Sequence, residues 1–301
     1  MSKVYVFTRF GGPETEELQD RPVPEAGPGE LLVEVRAGGV NPADWKIRQG
    51  LFGTRRELPS GMGLEVAGVV VGTGDGVSGF SVGDAVVAGV AGGRGGWAEH
   101  TLVRAAEAVA KPEEVSFVDA ATLPVAGTTA FDLVHQVAPA PGQRMLVLGA
   151  GGGVGLMATQ LAAVRRVHVI GVAGPGKRDL VEATGATFVP SGAGFAERVR
   201  ELAPRGVDIV VDLVGGDVLR AAATLATEPG RVVSAADPAV TDLGGTGRVH
   251  HPDALARLTG YVRQGLLDPH VTATYPLDRA GEALAAVETG HATGKVVVQV
   301  P

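Results

Sequence analysis

The sequence predicts an α/β fold in two parts, a β-rich part followed by a doubly wound parallel sheet. Two observations predict it. Residues 1–110 contain short runs that are β-branched or alternate in polarity and are mostly bounded by glycine or proline, which is typical of strands. From 144 to about 235, short apolar runs alternate with segments of helical spacing, which is typical of strand–helix–strand units with a parallel sheet. A length of 301 residues fits two such domains.

The first part contains six predicted strands and one clear helix start. The strands are Val4–Phe7, Glu30–Ala37, Glu65–Gly72, Ala85–Val90, Ala98–Val103 and Ala106–Ala110. The helix begins after Asn41, because asparagine is a good N-cap, Pro42 suits the first helical position and Asp44 places a carboxylate in the first turn. Gly50 ends this helix.

Residues 113–140 change to a helical period and predict two helices broken at Pro124 and Gly127. In the alternating region that follows, we predict strands at 145–148, 167–172, 186–189, 207–213 and 230–235, and helices at 154–165, 177–184, 194–203 and 216–226. Residues 237–250 are predicted to be irregular. The remaining predicted elements are a helix at 252–265, a strand near 271–275, a helix at 278–289 and a strand at 295–300.

The glycine-rich stretch Gly149–Gly155 lies between the strand at 145–148 and the next helix. A dinucleotide-binding unit opens in this order, because a tight turn needs residues without a Cβ and a pyrophosphate must approach the N–H groups at the helix start. The spacing is the looser Gly149-x-x-Gly152-x-x-Gly155, since Ala150 stands where the first glycine of the strict pattern would fall. In this context the stretch predicts cofactor binding by a Rossmann domain.

Composition argues against several function classes. The net charge of −7, with no basic stripe, argues against nucleic acid and anionic membrane as partners, so we expect neither. The absence of cysteine excludes disulfides, thiolate zinc sites and a cysteine nucleophile, and the seven histidines show no metal-ligand spacing. The N-terminus resembles no secretory leader, and the apolar runs are short for a membrane span. We expect a cytoplasmic protein.

A series of short motifs in a fixed order resembles the medium-chain dehydrogenase/reductase superfamily over essentially the whole chain. The motifs are Gly39-Val40-Asn41-Pro42-Ala43-Asp44 with Arg48-x-Gly50, Gly63-Leu64-Glu65-Val66-Ala67-Gly68-Val69-Val70, Phe80-x-Val82-Gly83-Asp84-x-Val86, Gly96-Trp97-Ala98-Glu99, Gly127-Thr128-Thr129-Ala130, Gly149–Gly155, Val211-Asp212-x-Val214-Gly215 and Gly294-Lys295-Val296-Val297. The resemblance implies a GroES-like substrate domain formed by residues 1–112 and 268–301. It implies a Rossmann domain formed by residues 113–267.

Within the superfamily the chain resembles the zinc-free, quinone oxidoreductase-like (zeta-crystallin-like) branch. Zinc-dependent alcohol dehydrogenases carry Cys where this chain has Asn41, and Gly-His-Glu where it has Gly63-Leu64-Glu65. The resemblance therefore implies no metal site and no zinc. It implies hydride transfer from NADPH to a quinone or an α,β-unsaturated carbonyl, because hydrogen-bond donors can stabilise the charge that is delocalised onto the acceptor's oxygen. The alternative is a regulatory relative that binds nucleotide with little or no turnover. RNA binding, seen among similar proteins, is disfavoured by the acidic charge.

The predicted catalytic residues are Asn41, Trp45 and Lys46. The nicotinamide end of the family's site maps onto Asn41 and Thr129. Asn41 has two compatible readings, as a helix cap or as a donor to the substrate carbonyl or the carboxamide. Trp45 has two as well, as a pocket wall or as packing. Lys46 and Arg48 are most simply solvated, although either can supply a proton or hold an oxyanion.

Two further carboxylates are weighed against a structural role. Glu65 is expected to be a buried structural partner. Asp212 is as well explained by capping the end of a strand as by binding the cofactor. The predicted cofactor-binding residues are Asn41, Thr129, Gly149, Gly152, Gly153, Val154, Lys177, Arg178, Val214, Ala235 and Lys295.

The end of the second Rossmann strand predicts NADP rather than NAD. The strand is followed by Gly174, Pro175, Gly176, Lys177 and Arg178, with no acid to hold the ribose hydroxyls and two cations that can pair with a 2′-phosphate. The chain departs from the NADP-using relatives, which have Ser, Lys and Tyr where it has Gly174, Gly176 and Gly192. Two alternatives stay open: Lys177 and Arg178 replace those contacts, or they are the exposed first turn of a helix and the site is weak, relaxed in specificity or lost.

The remaining expectations concern assembly and substrate. The resemblance implies a homodimer, formed through the edge of the Rossmann sheet. The substrate is expected to be a small molecule, and its size is expected to depend on the loops Phe52–Pro59 and Ala91–Trp97.

Overall fold

The structure, a computed structural model, describes residues 1–90, 93–290 and 292–301. Two residues of the predicted acceptor loop, Ala91 and Gly92, lie outside them. The chain forms two compact units, one of Met1–Val125 with Val271–Pro301 and one of Ala126–His270. The predicted domain boundaries at residues 112/113 and 267/268 stay a prediction.

The elements of the first 125 residues are β1 (Ser2–Phe7), β2 (Glu16–Arg21), β3 (Glu30–Val40), α1 (Pro42–Arg48), β4 (Ser60–Gly61), β5 (Glu65–Thr73), β6 (Ala85–Gly89), β7 (His100–Arg104), β8 (Val109–Ala110) and α2 (Phe117–Ala120). A π-helical turn, Leu123–Gly127, precedes the next helix.

The second unit contains α3 (Thr128–Gln136), β9 (Arg144–Leu148), α4 (Gly153–Val164), β10 (His168–Ala173), α5 (Arg178–Glu182), β11 (Thr187–Pro190), α6 (Phe195–Leu202), β12 (Ile209–Asp212), α7 (Gly216–Ala223), β13 (Val232–Ser234), β14 (Thr246–Gly247) and α8 (Ala254–Arg263). The chain then returns to the first unit with β15 (Val271–Pro276), α9 (Ala280–Glu288) and β16 (Lys295–Gln299).

The first unit is built around a mostly antiparallel seven-stranded sheet in which β3 is central. β3 pairs with β5, β7 and β16. The register sets Val296 opposite Val40 and Val66 opposite Gly38, so the first residues of β16 and β5 lie beside the end of β3, where α1 begins. The apolar faces of these strands form one buried core with helix α9.

The second unit is a six-stranded parallel sheet in the order β11-β10-β9-β12-β13-β14. Parallel strands end at the same edge of a sheet, so the turns after β9, β10, β12 and β13 share one edge. That edge is where ligands bind in such sheets. The predicted fold class, a β-rich domain plus a doubly wound parallel sheet, is confirmed.

Two local predictions are wrong, and one strand lies where no element was predicted. The segment Ala106–Ala110 is a strand only at Val109–Ala110, after a 3₁₀ turn at Ala105–Glu107. Strand β2 was not predicted, because its sequence EELQDR is polar; its position depends on pairing with β1. The segment 237–250 contains a 3₁₀ helix, Pro238–Leu243, and strand β14. None of the helices in the described ranges combines the length and the hydropathy of a membrane span.

Candidate functional site

The glycine turn after β9 has the geometry that a dinucleotide needs. Gly149 has a φ of +78°, a left-handed conformation that favours glycine. A Cβ on Gly155 would lie 2.2 Å from the carbonyl oxygen of Gly149, so only glycine allows α4 to pack this closely on the turn. Helix α4 begins at Gly153 with Gly152 as its N-cap. The N–H groups of its first turn have no intrahelical partner and suit an anion.

Lys177 lies beside this turn. A Cβ on Gly151 would lie 2.6 Å from Cδ of Lys177, so the lysine stem lies directly over the glycine backbone. Partial burial lowers the pKa of Lys177. The neighbouring Arg178 is directed to its own helix, because its guanidinium donates to Glu182 at 2.8 Å and lies 4.5 Å from the Phe188 ring. Lys177 is therefore the better placed of the two predicted cations.

The ends of β12 and β13 are joined by a buried hydrogen-bond network. Asp212 is fully buried; its Oδ1 accepts from the N–H groups of Val214 and Gly215 at 3.0 Å, and its Oδ2 accepts from Ser234 Oγ at 2.6 Å. The structure thus supports the strand-end cap for Asp212. It leaves Val214 and Ala235, two predicted cofactor contacts, exposed at the sheet edge.

The start of α3 is hydrogen-bonded to Arg248 and His251, residues for which the sequence predicts no role. Thr129 is buried there, next to Thr128. Arg248 donates from Nε to buried Asp132 at 2.8 Å and from Nη2 to Thr128 Oγ1 at 3.0 Å. His251 donates its backbone N–H to the same carboxylate at 3.0 Å. No sequence signal indicates this contact, because more than 110 residues separate the partners.

In the first unit, Asn41 lies between two opposite charges. Its Nδ2 donates to Glu65 Oε1 at 2.7 Å, and its Oδ1 accepts from Lys295 Nζ at 2.7 Å. Lys295 also donates to Glu65 Oε1 at 3.0 Å and to the Val40 carbonyl at 3.0 Å. Glu65 Oε2 accepts from the N–H of Val125 at 2.7 Å. The expected burial of Glu65 is confirmed, and the register of β3, β5 and β16 produces this cluster.

Asp44 is buried one helical turn after Asn41. Its Oδ2 accepts from the backbone N–H of Asn41 at 2.8 Å, which completes the start of α1. Loss of hydration, helped by the charge of Glu65, raises the pKa of Asp44 to about 7; the N–H groups of Asn41 and Gly63 and the charge of Lys295 act in the opposite direction. The predicted helix start at Asn41 is confirmed. The side-chain amide of Asn41 bonds to Glu65 and Lys295.

The other predicted residues of α1 lie farther along the helix. Trp45 is half-buried against the core, and Lys46 Nζ lies 5.6 Å from its ring. The expectation that Arg48 is solvated is wrong. Arg48 is 1% exposed, pairs with Glu16, and donates to both carboxylate oxygens of Glu288 at 2.8 and 2.9 Å. Its position depends on partners from β2 and α9.

The donor set around Asn41 does not suit a zinc ion. Among its described residues the site has no thiolate or imidazole. It presents the Asn41 amide, the apolar side chain of Leu64 and the Glu65 carboxylate, which is already bonded to the Lys295 ammonium. In the part of the chain that the structure describes, no group of three or more His, Asp or Glu is placed to hold a metal ion. Zinc independence remains a proposal.

Of the predicted residues, the structure brings Gly149, Gly152, Gly153, Val154 and Lys177 together at the glycine turn, and Asn41 and Lys295 together in the first unit. The ammonium of Lys295 already has three acceptors, so a direct cofactor contact would have to replace one of them. That contact stays a prediction, like those of Thr129, Arg178, Val214 and Ala235.

Comparison with known proteins places the chain in a family. Residues 27–113 match the family described as alcohol dehydrogenase GroES-like domain, and residues 184–298 match the one described as zinc-binding dehydrogenase. The human synaptic vesicle membrane protein VAT-1 homolog is 32% identical over 97% of this chain and 85% of its own length. The chloroplastic NADPH-dependent alkenal/one oxidoreductase of Arabidopsis thaliana is 35% identical over 98% of this chain and 79% of its own length.

A solved structure of a related protein has the same fold as this chain. The quinone oxidoreductase from Coxiella burnetii superposes with a TM-score of 0.91 at 29% identity, covering 100% of this chain and 99% of that one. Oxidoreductases of this superfamily generally use NAD or NADP and act on small molecules. The chain belongs to the medium-chain dehydrogenase/reductase superfamily, in its quinone oxidoreductase-like branch, and is an oxidoreductase of that type.

Proposed function

We propose that the protein is a zinc-independent, NADPH-dependent reductase of quinones or α,β-unsaturated carbonyls. The observation that carries the proposal is the Asn41 site. At the helix start where zinc-dependent relatives carry cysteine, this chain presents an amide held between Glu65 and Lys295. A neutral donor of this kind suits an acceptor whose negative charge is delocalised onto an oxygen. The names of the Arabidopsis and Coxiella relatives agree with this substrate class.

The glycine turn and Lys177 supply the cofactor half of the proposal. When bound, the nicotinamide supplies the hydride. The first-turn N–H groups of α4 bind the pyrophosphate, and Lys177, over Gly151, pairs with the 2′-phosphate. Residues 174–178, directly after β10, include no carboxylate to hold ribose hydroxyls in the manner of an NAD enzyme. Asn41 donates to the acceptor's oxygen as charge develops there.

The test is a fluorescence titration with NADPH and with NADH, followed by turnover with a panel of quinones and enones. Wild type should prefer NADPH. Lys177→Met should weaken NADPH binding about 10-fold or more, because one charge-assisted hydrogen bond is lost, and should leave NADH binding unchanged. Arg178→Met is the matched control and should cost less, since this guanidinium is engaged by Glu182. Equal loss for both nucleotides in Lys177→Met would contradict the assignment.

One observation favours the alternative, a nucleotide-binding relative with little or no turnover. A Cβ added at Gly174, Gly176 or Gly192 meets nothing within 4 Å among the described residues, so this side of the predicted phosphate site is open. NADPH binding without reduction of any quinone or enone would support that alternative. Binding of neither nucleotide would contradict both functions.

We further propose a cytoplasmic homodimer formed through β14. This two-residue strand lies at the end of the parallel sheet and pairs with β13, so its other side can pair with a second copy. Light scattering behind a sizing column tests this proposal. A monomeric mass at concentrations used for assay would contradict it.

A further inference from the structure

Lys295 and Glu65 hold the two ends of the Asn41 amide. We propose that these two charges are positioning residues: together they fix the orientation of the amide, and the Lys295 ammonium polarises the remaining N–H toward the acceptor. The inference rests on the proposed function, because it assumes that Asn41 is the donor to the substrate. In this inference Lys295 acts by orienting the Asn41 amide. It replaces the predicted direct contact between Lys295 and the cofactor.

The contacts allow one orientation of the amide. The Asn41 oxygen is 2.7 Å from the Lys295 ammonium, and its nitrogen is 2.7 Å from the Glu65 carboxylate. Rotating the amide by 180° would place its NH₂ group against the ammonium and its oxygen against the carboxylate, and both contacts would be repulsive. An exposed asparagine has no such preference, since its oxygen and nitrogen are nearly the same size.

The two charges are themselves held in place. Glu65 accepts from the Val125 N–H, and Lys295 donates to the Val40 carbonyl. Asn41, Glu65 and Lys295 are 4%, 0% and 3% exposed, so water does not screen their interactions. A Cβ on Gly39 would lie 2.0 Å from Glu65 Oε1, so this glycine is what allows the carboxylate to approach the amide. The site is therefore organised before substrate binds.

Within residues 1–90, 93–290 and 292–301, Glu65 is the acceptor recorded for the Asn41 NH₂ group, which leaves its second N–H for a substrate. An amide whose oxygen is bonded to an ammonium is a stronger donor, because the bonds polarise one another. All three N–H groups of Lys295 are used within the protein. Stabilising an oxygen that becomes negative during hydride transfer should lower the barrier more than it improves ground-state binding. Loss of the pair should therefore lower kcat and leave KM for NADPH nearly unchanged.

A double-mutant cycle between Lys295→Met and Asn41→Ala tests the role in turnover. Lys295→Met alone should lower kcat about 10-fold or more, with KM and Kd for NADPH within about 2-fold of wild type. In the Asn41→Ala background the same substitution should cost less than about 3-fold, because Lys295 then has no amide to orient. Equal loss in both backgrounds, or a raised Kd for NADPH with unchanged kcat, would overturn the proposal.

Two further variants guard against misfolding. Lys295→Met leaves Glu65 buried without its cation, so the double variant Glu65→Gln/Lys295→Met removes both charges. It should retain the fold by circular dichroism and show the same loss of kcat. Lys111→Met is the matched control, because that half-buried ammonium donates to the carbonyls of Pro112 and Val115 at 2.8 and 2.6 Å. It should leave kcat unchanged.

A readout independent of turnover separates this inference from the proposed function. In ¹⁵N-labelled protein the side-chain NH₂ signals of Asn41, identified by their loss in Asn41→Ala, should exchange slowly with solvent. They should shift and exchange at least about 10-fold faster in Lys295→Met, as expected when a buried polar network loses a member. If wild type reduces no acceptor but this change occurs, the proposed function fails and the positioning stands. If wild type is active and the signals do not respond to Lys295→Met, the positioning is wrong.

Discussion

Replacing Asp44 by asparagine should remove a pH dependence from the stability of the first unit. The folded state raises the pKa of this carboxyl to about 7 from an ordinary value of 3.8, mainly because burial removes its hydration. Between these pH values the folded chain keeps a proton on Asp44 that the unfolded chain has released. The free energy of unfolding contributed by Asp44 therefore decreases as the pH rises from about 4 to about 7, and is constant above that.

The magnitude follows from the size of the shift. One pH unit corresponds to about 1.4 kcal/mol for a single proton, so the contribution falls by about 3 kcal/mol between pH 5 and pH 7. Asp44→Asn preserves an oxygen that can accept from the Asn41 N–H and cannot titrate. The stability of wild type relative to this variant should thus be about 3 kcal/mol greater at pH 5 than at pH 8.

Urea unfolding followed by tryptophan fluorescence measures this difference. The chain has two tryptophans, Trp45 and Trp97, and both belong to the first unit, so the signal reports on the unit that contains Asp44. Asp75→Asn, at an exposed position of the same unit, is the control and should show the same relative stability at both pH values. If the gap between wild type and Asp44→Asn is equal at pH 5 and pH 8, the reasoning is refuted, because Asp44 then keeps no proton in the folded state.

Two further predictions concern the remaining packing. Arg48→Met should destabilise the protein by about 3–5 kcal/mol in urea, because it leaves Glu16 buried without its cation, whereas Arg178→Met on an exposed pair should cost less than about 1 kcal/mol. Similar losses for the two variants would contradict the buried pair. Gly155→Ala should abolish dinucleotide binding, since its Cβ would push against the Gly149 carbonyl and displace α4 from the turn. Wild-type affinity for the cofactor in this variant would show that the turn is not the binding site.

The sequence carries enough information for the parallel sheet and for the glycine turn, because both depend on local constraints. Apolar runs of strand length and helical spacing repeat regularly, and all the predicted strands and helices between 144 and 235 are present. The turn is a stretch of seven residues, Gly149–Gly155. It needs positions without a Cβ, and the glycines in the sequence show this directly. Strand β2 escapes prediction because five of its six residues are polar and carry no period-2 pattern, and pairing with β1 determines its structure.

At the Asn41 site the sequence predicts the helix start, but it does not predict which residues bond to the side chains. Asn41 was expected to begin a helix, and it does, because that preference acts over a few residues. The direction of its amide depends on Glu65 and Lys295, which are 24 and 254 residues away. Arg48 was expected to be solvated, since a cation near the end of a short helix usually is. Glu16 and Glu288, on β2 and α9, bury it.

The amino-acid sequence alone therefore sufficed to predict the family, the two-part fold, the glycine turn and the helix start at Asn41. Each of these depends on residues close together in the chain or on motifs in a fixed order. Which charges meet depends on the folded chain, because the strand register of β3, β5 and β16 brings residues from distant parts of the sequence to one point. There Glu65 and Lys295 are buried and bond to Asn41. Burial also raises the pKa of Asp44 nearby.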